Sequence, residues 1–219
     1  MSNRLRIALT KGRLQDNSVA LFERAGLDCS PIKDPGRRLV HSIPNYPLDA
    51  VLSKAPDVIT YVEHGICDLG IVGKDTIMEQ GGSFFEVLDL GFGKCRFALA
   101  VKEGSDFYGT YKTRTIASKY PAVTKAFFAA KGMDVDVIKI EGSVELAPIL
   151  GLCDAIVDIM ETGTTLKENG LIVYERICDI SARVIVNRAS FKLKRPEIMR
   201  LLNDLQKVRD AHAETNGSR

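Results

Sequence analysis

The sequence predicts an α/β protein built in two lobes, and three observations lead there. Short apolar runs alternate with helical patterns almost from end to end, the mark of parallel or mixed sheets covered by helices. A Gly-Phe-Gly stretch near residue 92 and a polar segment near 179–182 offer two places for the chain to cross between lobes. The 219 residues suffice for two small domains, since domains usually hold roughly 100–200 residues.

Residues 5–9 read as a strand, followed by a helix with Leu14, Leu21 and Ala25 on one face and Gly26 as its stop. Further strands are expected at 39–43, 50–52, 69–72 and 85–90, with short helices at 57–64 and 75–80 between them. Beyond Gly91 and Gly93 a second series begins: strands 96–101 and 113–117, helix 122–131, strand 135–140, helix 144–150 and strand 155–159. The last helix, 196–209, carries Ile198, Leu201, Leu202, Leu205 and Val208 on one stripe. That stripe is expected to dock on the first lobe or to serve a partner subunit. The tail after His212 is polar and is expected to fray.

Composition narrows the function. A net charge of +2 from 30 basic and 28 acidic side chains argues against a nucleic-acid coat or a membrane-surface protein. Any basic site must be local and aimed at a small anionic ligand. The five cysteines, Cys29, Cys67, Cys95, Cys153 and Cys178, form no C-x-x-C pair and read as free thiols of a reducing compartment. The N-terminus shows no secretory h-region, and nowhere do about 18 apolar residues run together, so the expected location is the cytoplasm. Three histidines without H-x-E or H-E-x-x-H spacing predict no protein-bound zinc. His64, between Glu63 and Gly65, reads as a general base or, more plainly, as the C-terminal residue of a helix.

The informative stretch is Asp154-Ala-Ile-Val-Asp158-Ile-Met-Glu-Thr162-Gly163-Thr164-Thr165-Leu166. It starts as a strand, on which Asp154 and Asp158 point to the same face. Next comes Thr-Gly-Thr-Thr at the start of a helical pattern. Backbone N–H groups, the helix dipole and threonine hydroxyls converge there on an anion, and Gly163 permits close backbone approach. The carboxylates suit ribose hydroxyls or a magnesium ion carried beside phosphates. The plain alternative is a helix capped by Thr162, with both acids as exposed strand ends. Neither G-x-x-x-x-G-K-[ST] nor G-x-G-x-x-G occurs.

These residues carry a resemblance. Glu145, Gly151, Asp158-Ile159 and Thr162-Gly163-x-Thr165-Leu166 are similar to the signature of the ATP phosphoribosyltransferase family, with Cys153 where that family usually has Gly, Ala or Ser. Lys11-Gly12-Arg13 resembles the family's K-G-R, and Asp34-x-x-Arg37-x-Leu39 its D-x-x-R-x-L. The run from Asp57 through Gly65 to Asp75 resembles its second long block, and Lys54 fills a position that is Arg in many relatives. The resemblance covers about residues 4–205.

It implies a two-lobed fold like that of type II periplasmic binding proteins, with the active site in the inter-lobe cleft. The expected lobes are 1–92 plus 183–219, and 93–182. It implies that N1 of the ATP adenine displaces pyrophosphate from phosphoribosyl pyrophosphate, with magnesium carried on the substrates. Arg13 and Arg37 are then the catalytic candidates beside the leaving pyrophosphate. Asp154, Asp158, Thr162, Gly163, Thr164 and Thr165 are expected to bind the donor, and Asp158 either meets the ribose or orients the loop. Lys11, Gly12, Lys54 and Glu145 are expected in the ATP site or cleft, Glu145 equally as a helix cap. Arg37 has its own plain reading, as half of a solvated Arg-Arg pair beside a turn. The resemblance also implies a short form that oligomerises and joins a regulatory subunit resembling histidyl-tRNA synthetase in a hetero-octamer. The last helix and residues 69–72 are the expected oligomer surfaces. The rival reading is a solute-binding or nucleotide-binding protein of the same fold without catalysis.

Overall fold

A computed structural model describes residues 4–109 and 112–217, with side chains through Ala211. The chain forms two compact units, Met1–Gly93 with Ser181–Arg219, and Lys94–Ile180. It runs through β1 (Leu5–Thr10), α1 (Arg13–Arg24), α2 (Ser30–Lys33), β2 (Val40–Ser42), β3 (Leu48–Ser53), α3 (Ala55–Glu63), β4 (Leu69–Gly73), α4 (Lys74–Gln80) and β5 (Phe84–Asp89). The second unit follows as β6 (Cys95–Lys102), β7 (Arg114–Ser118), α5 (Pro121–Ala130), β8 (Val135–Lys139), α6 (Leu146–Ile149), β9 (Ala155–Met160), α7 (Thr164–Glu168) and β10 (Leu171–Ile180). The chain returns to the first unit with β11 (Ala182–Asn187), α8 (Arg188–Leu193) and α9 (Arg195–Gly217).

The first sheet has the order β2-β3-β1-β4-β11-β5, with β1, β3 and β4 parallel. Apart from Arg6 near its start and Thr10 at its end, β1 is apolar on both faces because both are covered. Leu5, Ile7 and Leu9 pack with Phe22 of α1 and with Ile198, Leu201 and Leu205 of α9, while Ala8 faces Val58 and Val62 of α3. Gly26 ends α1 in the left-handed region at φ 83°, its N–H bonded to the Glu23 carbonyl.

The second sheet has the order β10-β6-β9-β7-β8, in which β7, β8 and β9 are parallel, β6 runs against them, and β10 pairs antiparallel to β6 at the edge. Its large side chains lie on one face, where Phe97, Leu99 and Val157 pack with Val123 and Phe128 of α5. The other face is lined by Ala100, Ala117 and Ile156 under α6 and α7.

Three expectations change. Residues 171–187 hold two strands that the periodicity does not announce, because β10 has register shifts between Val173 and Glu175 and between Arg176 and Cys178. A bulge breaks the two-residue alternation by which a strand is read. The polar segment at 179–182 is the expected crossover, and it is tight: β10 ends at Ile180 and β11 starts at Ala182, with Ser181 alone between them. The expected oligomer surfaces are core instead. Ile198, Leu201 and Leu205 are fully buried, and every residue of β4 is buried. Finally, α9 continues to Gly217, past the expected fraying point at His212; side chains there lie outside the described residues.

The thiols of Cys29 and Cys67 are buried, which pushes each up to about 11, as expected for inert apolar fillers. His64 takes the helix-end reading, standing just after α3 and before Gly65 at φ 69°. Among the described residues, no helix is long and apolar enough to cross a membrane.

Candidate active site

The second unit contains a cavity of about 270 Å³ at the carboxyl end of β9. Ligands of open α/β sheets bind at such ends, because the loops there are free to vary while the strands fix their roots. Its walls include Glu145, Asp158, Glu161, Thr162, Gly163 and Thr165. The floor owes its room to Ala98 and Ala100 on β6, which stand opposite Asp158 and Ile156. Larger side chains at those two positions would fill it.

Gly163 makes the turn. It sits at φ 81°, ψ 9°, and a Cβ there would also lie 2.6 Å from the Met160 methyl carbon. Past it the chain coils into α7, with the Lys167 N–H donating to the Gly163 carbonyl at 3.2 Å. The Asn169 side chain closes the helix by donating to the Thr165 carbonyl at 2.8 Å. Thr162 and Thr164 share a hydroxyl–hydroxyl bond of 3.0 Å, and both are exposed, as is Thr165. Thr162, Gly163 and Thr165 line the cavity; Thr164 stands beside it.

Asp158 projects into the cavity and accepts the Ile159 N–H at 2.8 Å. Burial pushes its carboxyl above the ordinary range and nearby Glu145 adds to the rise, against the opposing pull of the Ile159 bond and Lys119. Glu145 precedes α6 but makes no capping bond, and its side chain lines the cavity.

Asp154 does not join them. It precedes β9 at the opposite end, where it accepts the Thr115 N–H at 2.9 Å and faces Arg114 at 3.7 Å. Four residues of extended chain span about 13 Å, so sharing a face with Asp158 is not sharing a site.

In the first unit, the carboxyl ends of β1 and β3 lie side by side, Thr10 opposite Ser53. The Lys11 N–H donates to the Ser53 carbonyl at 2.9 Å, so Lys11 and Lys54 leave the sheet at one edge. Gly12 at φ 87° then turns the chain into α1, whose first residue is Arg13. A Cβ on Gly12 would meet open space, so it is the backbone angle that favours glycine. Lys11, Arg13 and Lys54 are all exposed. Arg37 sits elsewhere in this unit, after the Pro35-Gly36 turn, on an open concavity of about 450 Å³ shared with Asp34, Arg38, His41 and Ser42.

Two features escape the motif reading. Ala98 and Ala100, two residues apart, are visible as a small-residue face of β6 in Phe-Ala-Leu-Ala. Lys119, which follows the last residue of β7, is a lone base with no motif around it.

The model of the ATP phosphoribosyltransferase family, HisG, matches residues 54–207. The chain is 59% identical over 203 residues to an ATP phosphoribosyltransferase of Clostridium kluyveri, covering 93% of each chain. It is 58% identical over 207 residues to that of Clostridium acetobutylicum, covering 94% of each. Among solved structures it resembles the ATP phosphoribosyl transferase (HisG:HisZ) complex from Thermotoga maritima, with a TM-score of 0.81 and 32% identity, over 94% of this chain and 99% of that one. It also resembles the periplasmic aliphatic sulphonate binding protein SsuA from Escherichia coli, with a TM-score of 0.61, over 98% of this chain and 75% of that one. At 14% identity this second likeness concerns the fold, which is of the type II periplasmic-binding-protein kind.

Proposed function

The chain belongs to the ATP phosphoribosyltransferase family, and on that premise we propose that the turn at 162–165 holds the donor's 5′-phosphate while Lys11, Arg13, Lys54 and Arg37 serve ATP and the leaving pyrophosphate. The reaction joins ATP to phosphoribosyl pyrophosphate, releasing pyrophosphate, and is the first step of histidine biosynthesis. The observation that carries the donor assignment is the cavity at the end of β9, where a left-handed glycine, exposed hydroxyls and a carboxylate meet.

Adenine N1 carries its own lone pair, so no activated Ser, Cys or His nucleophile is required. The barrier lies in pyrophosphate departure from an oxocarbenium-like sugar. Catalysis then consists of aligning the two substrates and stabilising charge that builds on the leaving group. Guanidinium forks match phosphate oxygens bidentately, and this assigns Arg13 and Arg37 to that task. Lys54, a point charge where relatives often have Arg, gives a less directional grip. Asp158, on the wall of the same cavity, would accept the ribose hydroxyls. Asp154, engaged with Thr115 at the far end of β9, is assigned to the fold.

Magnesium, when bound, would neutralise pyrophosphate oxygens. Asp158 and Glu145 are the carboxylates that would hold it beside the donor. Among the described residues no group of three or more His, Cys, Asp or Glu side chains is placed to hold a metal, so the donor's own phosphate oxygens would have to complete the ion's ligand set. The Thermotoga maritima structure is a HisG:HisZ complex, and we place this chain in the same kind of hetero-complex, a hetero-octamer by expectation, in the cytoplasm.

The test mixes the chain with ATP, magnesium, phosphoribosyl pyrophosphate and pyrophosphatase, with and without a HisZ-type subunit, and follows phosphoribosyl-ATP by absorbance. Arg13→Ala and Arg37→Ala should each cost at least about tenfold in kcat, or about 1.4 kcal/mol of transition-state stabilisation. Full activity in either variant removes that arginine from the leaving-group role.

A further inference from the structure

The cavity at the end of β9 has a charge imbalance. Its lining carries the carboxylates of Glu145 and Asp158 and no Lys or Arg. Peptide N–H groups and threonine hydroxyls bond phosphate oxygens, but they leave the repulsion between those acids and a dianion uncancelled. Magnesium arriving with the donor would offset part of it; a fixed positive charge of the chain's own has to come from beside the cavity.

β7 is the strand that can supply it. It runs parallel to β9 with Ser118 opposite Val157, so the next residues, Lys119 and Asp158, emerge abreast. Paired residues of neighbouring strands send their side chains to the same face, which puts Lys119 on the face that Asp158 turns to the cavity. The backbone at this point is pinned. Ser118 Oγ donates to the Val157 carbonyl at 2.6 Å and accepts the Tyr120 N–H at 2.9 Å. Lys119 itself is exposed and, among the described residues, forms no hydrogen bond or ion pair. Lys139, the last residue of the next strand, is already paired with Glu141 at 2.7 Å. The Lys119 ammonium acts on both Asp158 and Glu141, drawing each carboxyl downward, although burial keeps Asp158 raised overall.

We propose that Lys119 is a further donor-binding residue, whose ammonium engages the 5′-phosphate held at 162–165 and offsets Asp158 and Glu145 as the sugar phosphate enters. This rests on the assignment of the cavity to the donor's phosphate.

Calorimetric titration with ribose 5-phosphate, paired with steady-state kinetics, tests it on the parent chain, Lys119→Ala, Lys119→Arg and Thr162→Ala. Lys119→Ala should weaken ribose 5-phosphate binding and raise the donor KM by about tenfold while moving kcat by less than about twofold, as loss of one charge-assisted phosphate contact does. Lys119→Arg should restore most of the affinity. Unchanged binding in Lys119→Ala, with weakened binding in Thr162→Ala, overturns the role of Lys119 and leaves the loop in place. Unchanged binding in both overturns the donor assignment of the cavity itself.

Discussion

The Ser181 hydroxyl donates to Asp89 Oδ1 at 2.7 Å, and the same oxygen accepts the Gly91 N–H at 2.9 Å. One carboxylate thus holds both segments by which the chain leaves and re-enters the first unit. Arg183 meets its other oxygen at 3.0 Å, and Arg209 donates to the Asp89 carbonyl at 2.7 Å. Burial opposes the charge on Asp89, but these bonds and guanidinium groups outweigh it and hold the carboxyl below its ordinary range.

A lowered folded-state pKa gives a definite sign. The stabilisation from Asp89 is complete above the ordinary aspartate value of about 4 and drains away as pH falls through the lower folded value. Asp89→Asn should melt earlier than the parent near neutrality, and the two should converge in acid. Thermal melts across that range check this; parallel curves would remove Asp89 from the acid response.

Gly163→Ala meets two obstacles, a left-handed backbone and the Met160 methyl carbon at 2.6 Å. The donor KM should rise at least about tenfold, since strain of roughly 1–3 kcal/mol moves the turn. Adding Met160→Ala relieves the clash but not the backbone, so the double variant should recover only part of the affinity. Full recovery would assign the whole effect to packing.

Asp158→Asn separates folding from function. Burial raises the Asp158 carboxyl, so its favourable contribution to folding is present below the ordinary aspartate pKa and lost as pH rises through the higher folded value. At neutral pH the ionised group burdens the fold, and the neutral amide should match or exceed the parent's melting temperature. Phosphoribosyl-ATP formation should meanwhile drop by about tenfold or more. A variant that is both less stable and fully active would reverse both assignments.

Leu201→Ala and Leu150→Ser contrast two leucines. Leu201 is 0% exposed within the first core, and its truncation should cost about 2–5 kcal/mol in denaturant unfolding. Leu150 is 78% exposed, and its replacement should stay within about 0.5 kcal/mol. A mild Leu201→Ala would reopen α9 as a partner surface.

The contrast between Leu201 and Leu150 also shows what periodicity conveys. The stripe on α9 marks an apolar face, and burial within the chain's own core resolves the choice between docking and a partner. Strands β1 and β4 were legible because covered parallel strands are continuously apolar. β10 was not, since its register shifts scramble the alternation, and α2 and α8 are too short to show a helical period. The turn at 162–165 could be read from hydroxyls around one glycine, but Asp154 could not be placed by pattern alone. Spacing gives the face of a strand; only its direction in the sheet says which end is at the site. Lys119 was invisible for a related reason, because its significance comes from β7 lying beside β9.

Ser181, the lone residue between β10 and β11, has a consequence for biosynthesis. β11 inserts between β4 and β5, so the first sheet stays split until residues 182–187 have been made. The second unit is contiguous and can close its core as soon as Ile180 has emerged. The portion translated first is therefore completed last. A ribosome stalled within the second unit would hold a nascent chain with the edge of β4 open and β5 lacking its partner, and that strand edge is where a chaperone would be needed.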